Sequence, residues 1–412
     1  MRQTLDYRKK LNILYFFLQL LFWGAAVVHY AYMTQILEAK GYAETEIGLL
    51  NGAKLLTGII CQLLLGTVCD RLRYRFPLKY VIAILAAGTV FLTGALYVTD
   101  HNFVRMLLIS MGFGALFTTL QPMIDSLSIL YAEHGIDVNY AKGRMGGSLS
   151  WAVLCVLVGQ YCDLKGMHTV PLLAVLPLLV LMLLAAWLPW EQICPDCCRK
   201  GPGVSEKSEK KNSVWELLRN YPQFVLFLAG SAIMYMGYNF GSTFLIDFIC
   251  TCGGNNTHYG LAQFVLAISE VPSAFIMIRL RKRVPNTLIM VCCAVFMTLK
   301  NLIPAYTDSV AVIIMAQGSE MLGFGLFYSG SMYFIEDCLP AEDIVKATAL
   351  VSVATVGIGE GIGALCCGFI RKQIGVCGLM RLGALVNALA VPVFLSIYVI
   401  YEKKGKKSLK EY

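Results

Sequence analysis

Apolar residues run along this chain in long blocks separated by short polar connections. The blocks fall near 11–37, 46–69, 78–98, 103–131, 144–165, 169–190, 221–250, 258–280, 286–306, 309–337, 344–371 and 375–401, twelve in all. A helix needs about 20 mostly apolar residues to cross the hydrocarbon core of a bilayer. The pattern therefore predicts an all-α membrane protein with twelve transmembrane helices. Arg2 to Lys10 leads straight into the first block with no small-residue cleavage site behind a short apolar core, so no cleavable signal is expected.

Composition agrees. Of 412 residues, 57% are hydrophobic and only 15% charged, which points to membrane spans rather than to two or three soluble domains. The net charge of +8 raises the question of nucleic acid, and its distribution answers it. Most of the 34 Lys and Arg lie before the first block, at Arg71 to Lys79, Lys142, Arg199 to Arg219, Arg279 to Arg283, Lys346 and after Glu402. Those positions are the two termini and the alternate connections on their side. This is the positive-inside bias, which places both termini in the cytoplasm and makes a nucleic-acid partner unnecessary.

Between Glu191 and Asn220 the character changes to Pro, Gly and charge, predicting a disordered linker. The expected organisation is an N-terminal bundle of six helices over 1–190, a cytoplasmic linker over 191–220, a C-terminal bundle of six over 221–401 and a solvated tail over 402–412. The halves look related. Glu46-Ile-Gly-Leu-Leu opens the second block and His258-Tyr-Gly-Leu-Ala the eighth, 212 residues later, and Ile124-Asp125 meets Glu336-Asp337 at the same offset. Weak repetition at constant offset is what duplicated halves leave behind.

Charges inside spans carry the chemistry. Ionised groups in a bilayer cost roughly 2.5–3.5 kcal/mol each on insertion scales and persist where they pair or face water. Asp125 sits near the end of the fourth block and Arg144 near the start of the fifth, joined by a tight polar connection that holds both at similar depth. Trp151 follows two turns after Arg144 on about the same face. An acid, a base and a flat ring suit a sugar or an aromatic solute; the bland alternative is a charge pair that only locks two helices.

The same stretch carries a proline followed three residues later by an acid (Pro122, Asp125), then Tyr140, Lys142, Arg144, Gly147 and Trp151. It resembles the lactose permease and phenylpropionate permease branch of the major facilitator superfamily. The resemblance implies the major facilitator fold, two six-helix bundles around a central cavity, and it implies sugar contacts for Asp125, Arg144 and Trp151. The run Tyr15-Phe16-Phe17 through Gly24-Ala25 resembles the family's first span, where His29 is either a proton carrier, given a titration range near neutrality, or a hydrogen-bonded structural group. Gly66 to Arg75 resembles the superfamily's loop signature and places Asp70 and Arg71 as a gate, although Arg73 stands where glycine is preferred.

In the second half, Glu270-Val271-Pro272 resembles the phenylpropionate branch, and by the lactose branch Glu270 would bind sugar hydroxyls and take part in proton transfer; otherwise it is a buried structural glutamate. Asn239 falls where lactose permease-like proteins carry an acid, and Asp247 either compensates for it or lies near the membrane surface. Lys300 stands at the family's arginine and Glu320 at its histidine, while Gly323 replaces an acid one turn on, so the resemblance shifts proton coupling onto Glu320. Burial and Lys300 act on its proton in opposite senses. A fixed Lys300–Glu320 salt bridge is the alternative. Lys54 in the second span and Glu360 in the eleventh, which face each other in this fold, are expected to pair and part as a gate.

Most of the 15 cysteines lie in spans, where they act as small apolar residues. Cys194-x-x-Cys197-Cys198 has no second ligand pair to complete a zinc site. Asn255-Asn-Thr257 fits a glycosylation site only in a eukaryote. The expected function is proton-coupled sugar or oligosaccharide symport, galactoside-like, by alternating access in the cell membrane. A small aromatic carboxylate such as phenylpropionate comes second, drug/proton antiport third, and a membrane sensor stands outside transport altogether. No Walker-type loop or Ser-His-Asp arrangement argues for an enzyme. No metal or organic cofactor is expected, only the proton as coupling ion, and the partners are a small-molecule substrate and the lipid bilayer around a monomer.

Overall fold

A computed structural model of the chain describes residues 2–72, 77–133, 136, 138–189, 214–340 and 343–402. Among these residues every regular element is helical. The chain divides into two compact units, Met1–Ser205 and Glu206–Tyr412.

The first unit contains α1 (Arg2–Ala26), a π-helical turn (Val27–Ala31), α2 (Met33–Ala39), α3 (Glu44–Leu72), α4 (Leu78–Val98), α5 (Phe103–Glu133), α6 (Tyr140–Lys165), α7 (Val170–Leu173) and α8 (Val175–Ala186). Its neighbours pack α1 on α6, α3 on α5, and α4 on both α5 and α8. Small residues allow the approach, as they do wherever lipid offers no hydrophobic drive for helices to associate. A Cβ on Gly114 would collide with the backbone carbonyl of Lys54 and come 3.1 Å from the backbone nitrogen of Gly58. Because both obstacles are backbone, Gly114→Ala must push α3 from α5; the expected loss is about 1–3 kcal/mol, read as a lower melting temperature of the detergent-solubilised protein. An unchanged melting temperature would mean the seam is looser than the geometry says.

The second unit contains α9 (Val214–Asn220), α10 (Pro222–Ser242), α11 (Leu245–Thr251), α12 (Asn256–Glu270), α13 (Ser273–Leu280), α14 (Asn286–Leu302), α15 (Val310–Ala316), a 3-10 turn (Gln317–Met321), α16 (Phe324–Cys338), α17 (Ile344–Ser352), a π-helical stretch (Val353–Ile362) and α18 (Gly363–Ile397). Here α10 and α14 both lie along α18. The core is a block of Phe and Met, with Phe227 stacked on Phe334 at 4.3 Å and on Phe327 at 6.0 Å.

Among the described residues, ten helices are long and apolar enough to cross a membrane. The difference from twelve blocks has two causes. The expected sixth span is a shorter apolar helix, Val170–Ala186, interrupted at Ala174, where Pro177 cannot donate to the Leu173 carbonyl. The last two expected spans form one helical run of 55 residues, Lys346–Ile400. At ~1.5 Å per residue that run is more than twice the ~30 Å of a bilayer core. It turns at Gly375, whose φ of 70° and ψ of 176° lie outside helical space and in a region glycine reaches without strain. The end of α6 makes the same turn at Gly166, φ 79° and ψ 176°. One backbone device thus recurs after the fifth and eleventh apolar blocks.

The Val271–Pro272 break between α12 and α13 falls where the sequence expects it. Val271 N–H reaches Ile268 O, and the Ser273 hydroxyl donates to Glu270 O at 2.6 Å, so carbonyls near the proline are satisfied within the protein. The expected disordered linker needs correction at its end: 214–220 is helical, anchored by Leu217 in the Phe/Met core. The rest of it, with Cys194, Cys197 and Cys198, lies outside the described residues.

Candidate functional site

The first unit carries a polar cluster on α1, α5 and α6. Tyr15, Gln19 and Trp23 are spaced four apart and share one face of α1. Gln19 is fully buried, and its amide nitrogen donates to Asp125 Oδ1 at 2.6 Å and to the Tyr15 hydroxyl at 3.0 Å. Arg144 lies over the Trp23 ring, guanidinium carbon 4.1 Å from the centroid, and Trp23 meets Trp151 edge to face at 5.7 Å. Glycine makes this possible: a Cβ at Gly143 would enter the Tyr15 ring, and one at Gly147 the Trp23 ring.

Asp125 and Arg144 interact electrostatically without forming a direct ion pair. Gln19 holds the acid and Trp23 the base. The two charges do not join their helices through a direct ion pair among the described residues. Four buried polar atoms here, Gln19 Oε1, Trp23 Nε1, Arg144 Nη1 and Ser150 Oγ, have no hydrogen-bond partner among the described residues. Buried polar groups are normally paired, so such a gathering of donors and an acceptor makes this cluster a candidate site.

The second unit carries the other cluster. Lys300 Nζ lies 2.9 Å from Glu320 Oε2, the side chains 4% and 0% exposed. The approach is off the hydrogen-bonding direction, and both Glu320 oxygens lack a hydrogen-bond partner among the described residues. Lys300 also sits 4.2 Å from the centre of the Tyr238 ring. Tyr235 and Tyr238, on neighbouring turns of α10, feel the charges of Glu270, Glu320 and Glu360, so groups from α10, α12, α14 and the two irregular turns converge. Both irregular turns carry an acid: Glu320 is in the 3-10 turn and Glu360 in the π-helical stretch. Departures of this kind from α geometry are frequent at functional sites.

Other named residues stand elsewhere. His29 occupies the π-helical turn after α1 with its ring 1% exposed, against Phe113 and Phe117 and with Nε2 3.2 Å from the Thr93 hydroxyl. That is a packed interior position, with Nδ1 left without a hydrogen-bond partner among the described residues, and its backbone carbonyl accepts from Lys54 at 3.1 Å. Lys54 also lies 5.3 Å from the Tyr30 ring centre. Asn239 is 8% exposed, packs on Gly363 and accepts from the Thr243 hydroxyl, making no hydrogen bond to Lys300 or Glu320. Its neighbour Tyr238 takes that place. Asp247 neither joins this cluster nor lies bare at a surface: Arg371 reaches it at 2.6 Å, with both side chains under one-fifth exposed. The side chains of Asp70 and Arg71 lie outside the described residues.

Sequence reasoning passed over Gln19, Tyr235, Tyr238 and Arg371 and gave Trp23 no role. For Gln19 the signal was present, a polar residue at helical spacing between Tyr15 and Trp23 in an apolar run.

Apolar helices that bury charged and aromatic groups at depth, in two units with a shared backbone turn, define a multi-pass membrane protein of transporter type. The chain belongs to the MFS_1 like family, whose family model matches residues 9–381. Among its relatives, the maltose permease of Geobacillus stearothermophilus is 24% identical, with 89% of each chain covered. The probable 3-phenylpropionic acid transporter of Escherichia coli (strain K12) is 23% identical over 82% of this chain and 86% of its own. The uncharacterized transporter YwbF of Bacillus subtilis (strain 168) is 23% identical over 89% and 88%. Among solved structures, the nucleoside transporter NupG superposes with a TM-score of 0.76 at 15% identity, over 95% of this chain and 98% of that one. A bacterial homologue of the human lysosomal transporter Spinster gives 0.64 at 14%, over 98% of both. These two likenesses concern the fold.

Proposed function

We propose that this protein is a proton-coupled symporter of a sugar or oligosaccharide, working by alternating access through twelve membrane crossings with both termini cytoplasmic, as a monomer in the cell membrane. The observation that carries the reading is the set of orphaned polar atoms around Asp125, Arg144, Trp23 and Trp151. Donors and an acceptor beside aromatic faces match the hydroxyls and the flat apolar side of a pyranose. A relative named as a maltose permease supports the sugar class.

Proton coupling falls to Glu320 with Lys300, and Glu270, whose charge acts on the same Tyr235 and Tyr238, is a further participant. A buried ion pair carries a large desolvation penalty, balanced only while its geometry is good. A proton on Glu320 removes one charge and changes that balance, so protonation and conformation are linked. Net accumulation then follows if reorientation is favourable only with both solute and proton bound, or neither.

A second reading has its own observation. Arg144 has no acid partner within ion-pair distance, and its Nη1 is buried without a hydrogen bond. A guanidinium so placed suits a carboxylate held bidentately, and the relative named as a probable 3-phenylpropionic acid transporter supports an aromatic acid. One experiment separates these readings: external pH in a lightly buffered suspension of de-energised cells expressing the protein, on adding lactose, melibiose, maltose, sucrose or phenylpropionate. Alkalinisation with a sugar, abolished by Glu320→Gln, is expected. Alkalinisation with phenylpropionate alone selects the second reading, and acidification with a cationic drug would replace symport by antiport.

A further inference from the structure

Two buried asparagines lie beside the Lys300–Glu320 pair. Asn301, 3% exposed, follows Lys300 directly, and its amide donates to the carbonyl of Gly237 at 2.8 Å. Gly237 in turn precedes Tyr238, whose ring lies under the Lys300 ammonium. One hydrogen bond therefore fixes the register between the residue that carries the charge and the residue that supports it. Asn387 on α18 is fully buried and closes the other side, donating to the carbonyl of Met297 one turn before Asn301 at 3.1 Å.

The glycines opposite leave the two amides little freedom. A Cβ on Gly241 would collide with the Asn301 amide, and one on Gly237 with the Asn387 amide oxygen. A Cβ on Gly383 would come 3.0 Å from the Asn301 nitrogen and 2.9 Å from the Gly237 carbonyl. Helices α10, α14 and α18 thus meet at a frame of two amides and three glycines. A side chain one residue from a charge, clamped on several sides, transmits its placement to that charge.

We infer that Asn301, backed by Asn387, is a positioning residue for proton coupling: it holds Lys300 over Tyr238 and against Glu320, and so sets the pH at which Glu320 exchanges its proton. The inference rests on the proposed role of Glu320. The ionisable groups around the pair are Tyr235 and Tyr238 on α10, Glu270 on α12, Tyr328 on α16 and Glu360 on the π-helical stretch, and none of them hydrogen-bonds to either asparagine. Each amide is held by one hydrogen bond and by the glycines opposite, while the Asn387 amide oxygen has no hydrogen-bond partner among the described residues, so removing one member leaves the other little to hold it.

The test is an infrared pH titration of the purified full-length protein, following the carboxylic-acid band that Glu320→Gln removes. Two reference midpoints are taken, wild type and Lys300→Met. Asn301→Ala is expected to move the midpoint by at least one pH unit, most of the way to that of Lys300→Met, because in both variants the carboxyl group has lost its placed ammonium. A midpoint equal to wild type in a folded Asn301→Ala overturns the inference. If no Glu320-dependent band titrates in wild type between pH 4 and 10, the proposed proton site is at fault instead, and the inference falls with it. Should Asn301→Ala not fold, Asn387→Ala is measured against the same two midpoints: a shift towards Lys300→Met supports the inference and a wild-type midpoint overturns it. Solute affinity in equilibrium exchange, which requires no net proton movement, is expected to change less than twofold, whereas a purely structural lesion would lower exchange and coupled uptake together.

Discussion

Lys300→Met is expected to destabilise the protein by about 3–5 kcal/mol, and the double variant with Glu320→Gln to recover most of that loss. The pair is sealed, 4% and 0% exposed, with the ammonium 2.9 Å from the carboxylate. Removing one member of such a pair leaves an uncompensated charge in a low-dielectric interior, which is the expensive outcome; replacing both with neutral groups of similar size is close to neutral. Lys300→Met alone strands Glu320, whose oxygens have no hydrogen bond among the described residues. Glu320→Gln alone leaves Lys300 its Tyr238 face, a cation–π contact, and is expected to be milder. Thermal unfolding of the four proteins in detergent gives the coupling free energy of the cycle. A coupling near zero would mean that the two charges are not partners in the membrane-extracted protein and that the off-axis geometry is a loose encounter.

The second large effect concerns Arg144. Replacement by lysine keeps the charge but loses the planar fork and the stacking surface on Trp23. A hydrogen bond to a charged group contributes about 1.5–3 kcal/mol, so kcat/KM for uptake is expected to fall roughly 10- to 100-fold. The melting temperature should change little, because Arg144 is half-buried and pairs with no acid that would be stranded. Concentration-dependent uptake checks this. A variant with unchanged KM and rate would remove Arg144 from the solute site and shift attention to the second unit.

Gln19 makes a related point about specificity. Its side chain occupies the acid that the sequence pattern alone leaves facing Arg144. The amide oxygen at its other end has no hydrogen-bond partner among the described residues.

How much was legible in the sequence follows from which interactions are local along the chain. Membrane helices are written in composition, since every backbone polar group in lipid must be satisfied within its own segment. Apolar blocks therefore announced the helices, and Pro272 its break. Motif spacing named Asp125, Arg144 and Trp151 because they sit on consecutive helices joined by a short connection. Glu270, Lys300 and Glu320 stood out simply as charges in apolar runs.

Partnership was decided only by the tertiary structure. Gln19 lies 106 residues from Asp125, Asn301 lies 64 from Gly237, and Asn387 lies 90 from Met297; nothing in the periodicity of either helix tells which will face the other. The same holds for Tyr238 replacing Asn239 beside Lys300: one residue along a helix is a rotation of about 100°, enough to exchange a charge partner for a packing contact. The turn at Gly375 and the irregular turns at Glu320 and Glu360 were equally hidden, because they arise where packing between helices overrides the local preference for α geometry. Sequence determined that this chain would cross a membrane and which ionisable groups it would carry there. Packing determined which of those groups meet one another and which, among the described residues, were left with unfilled hydrogen bonds.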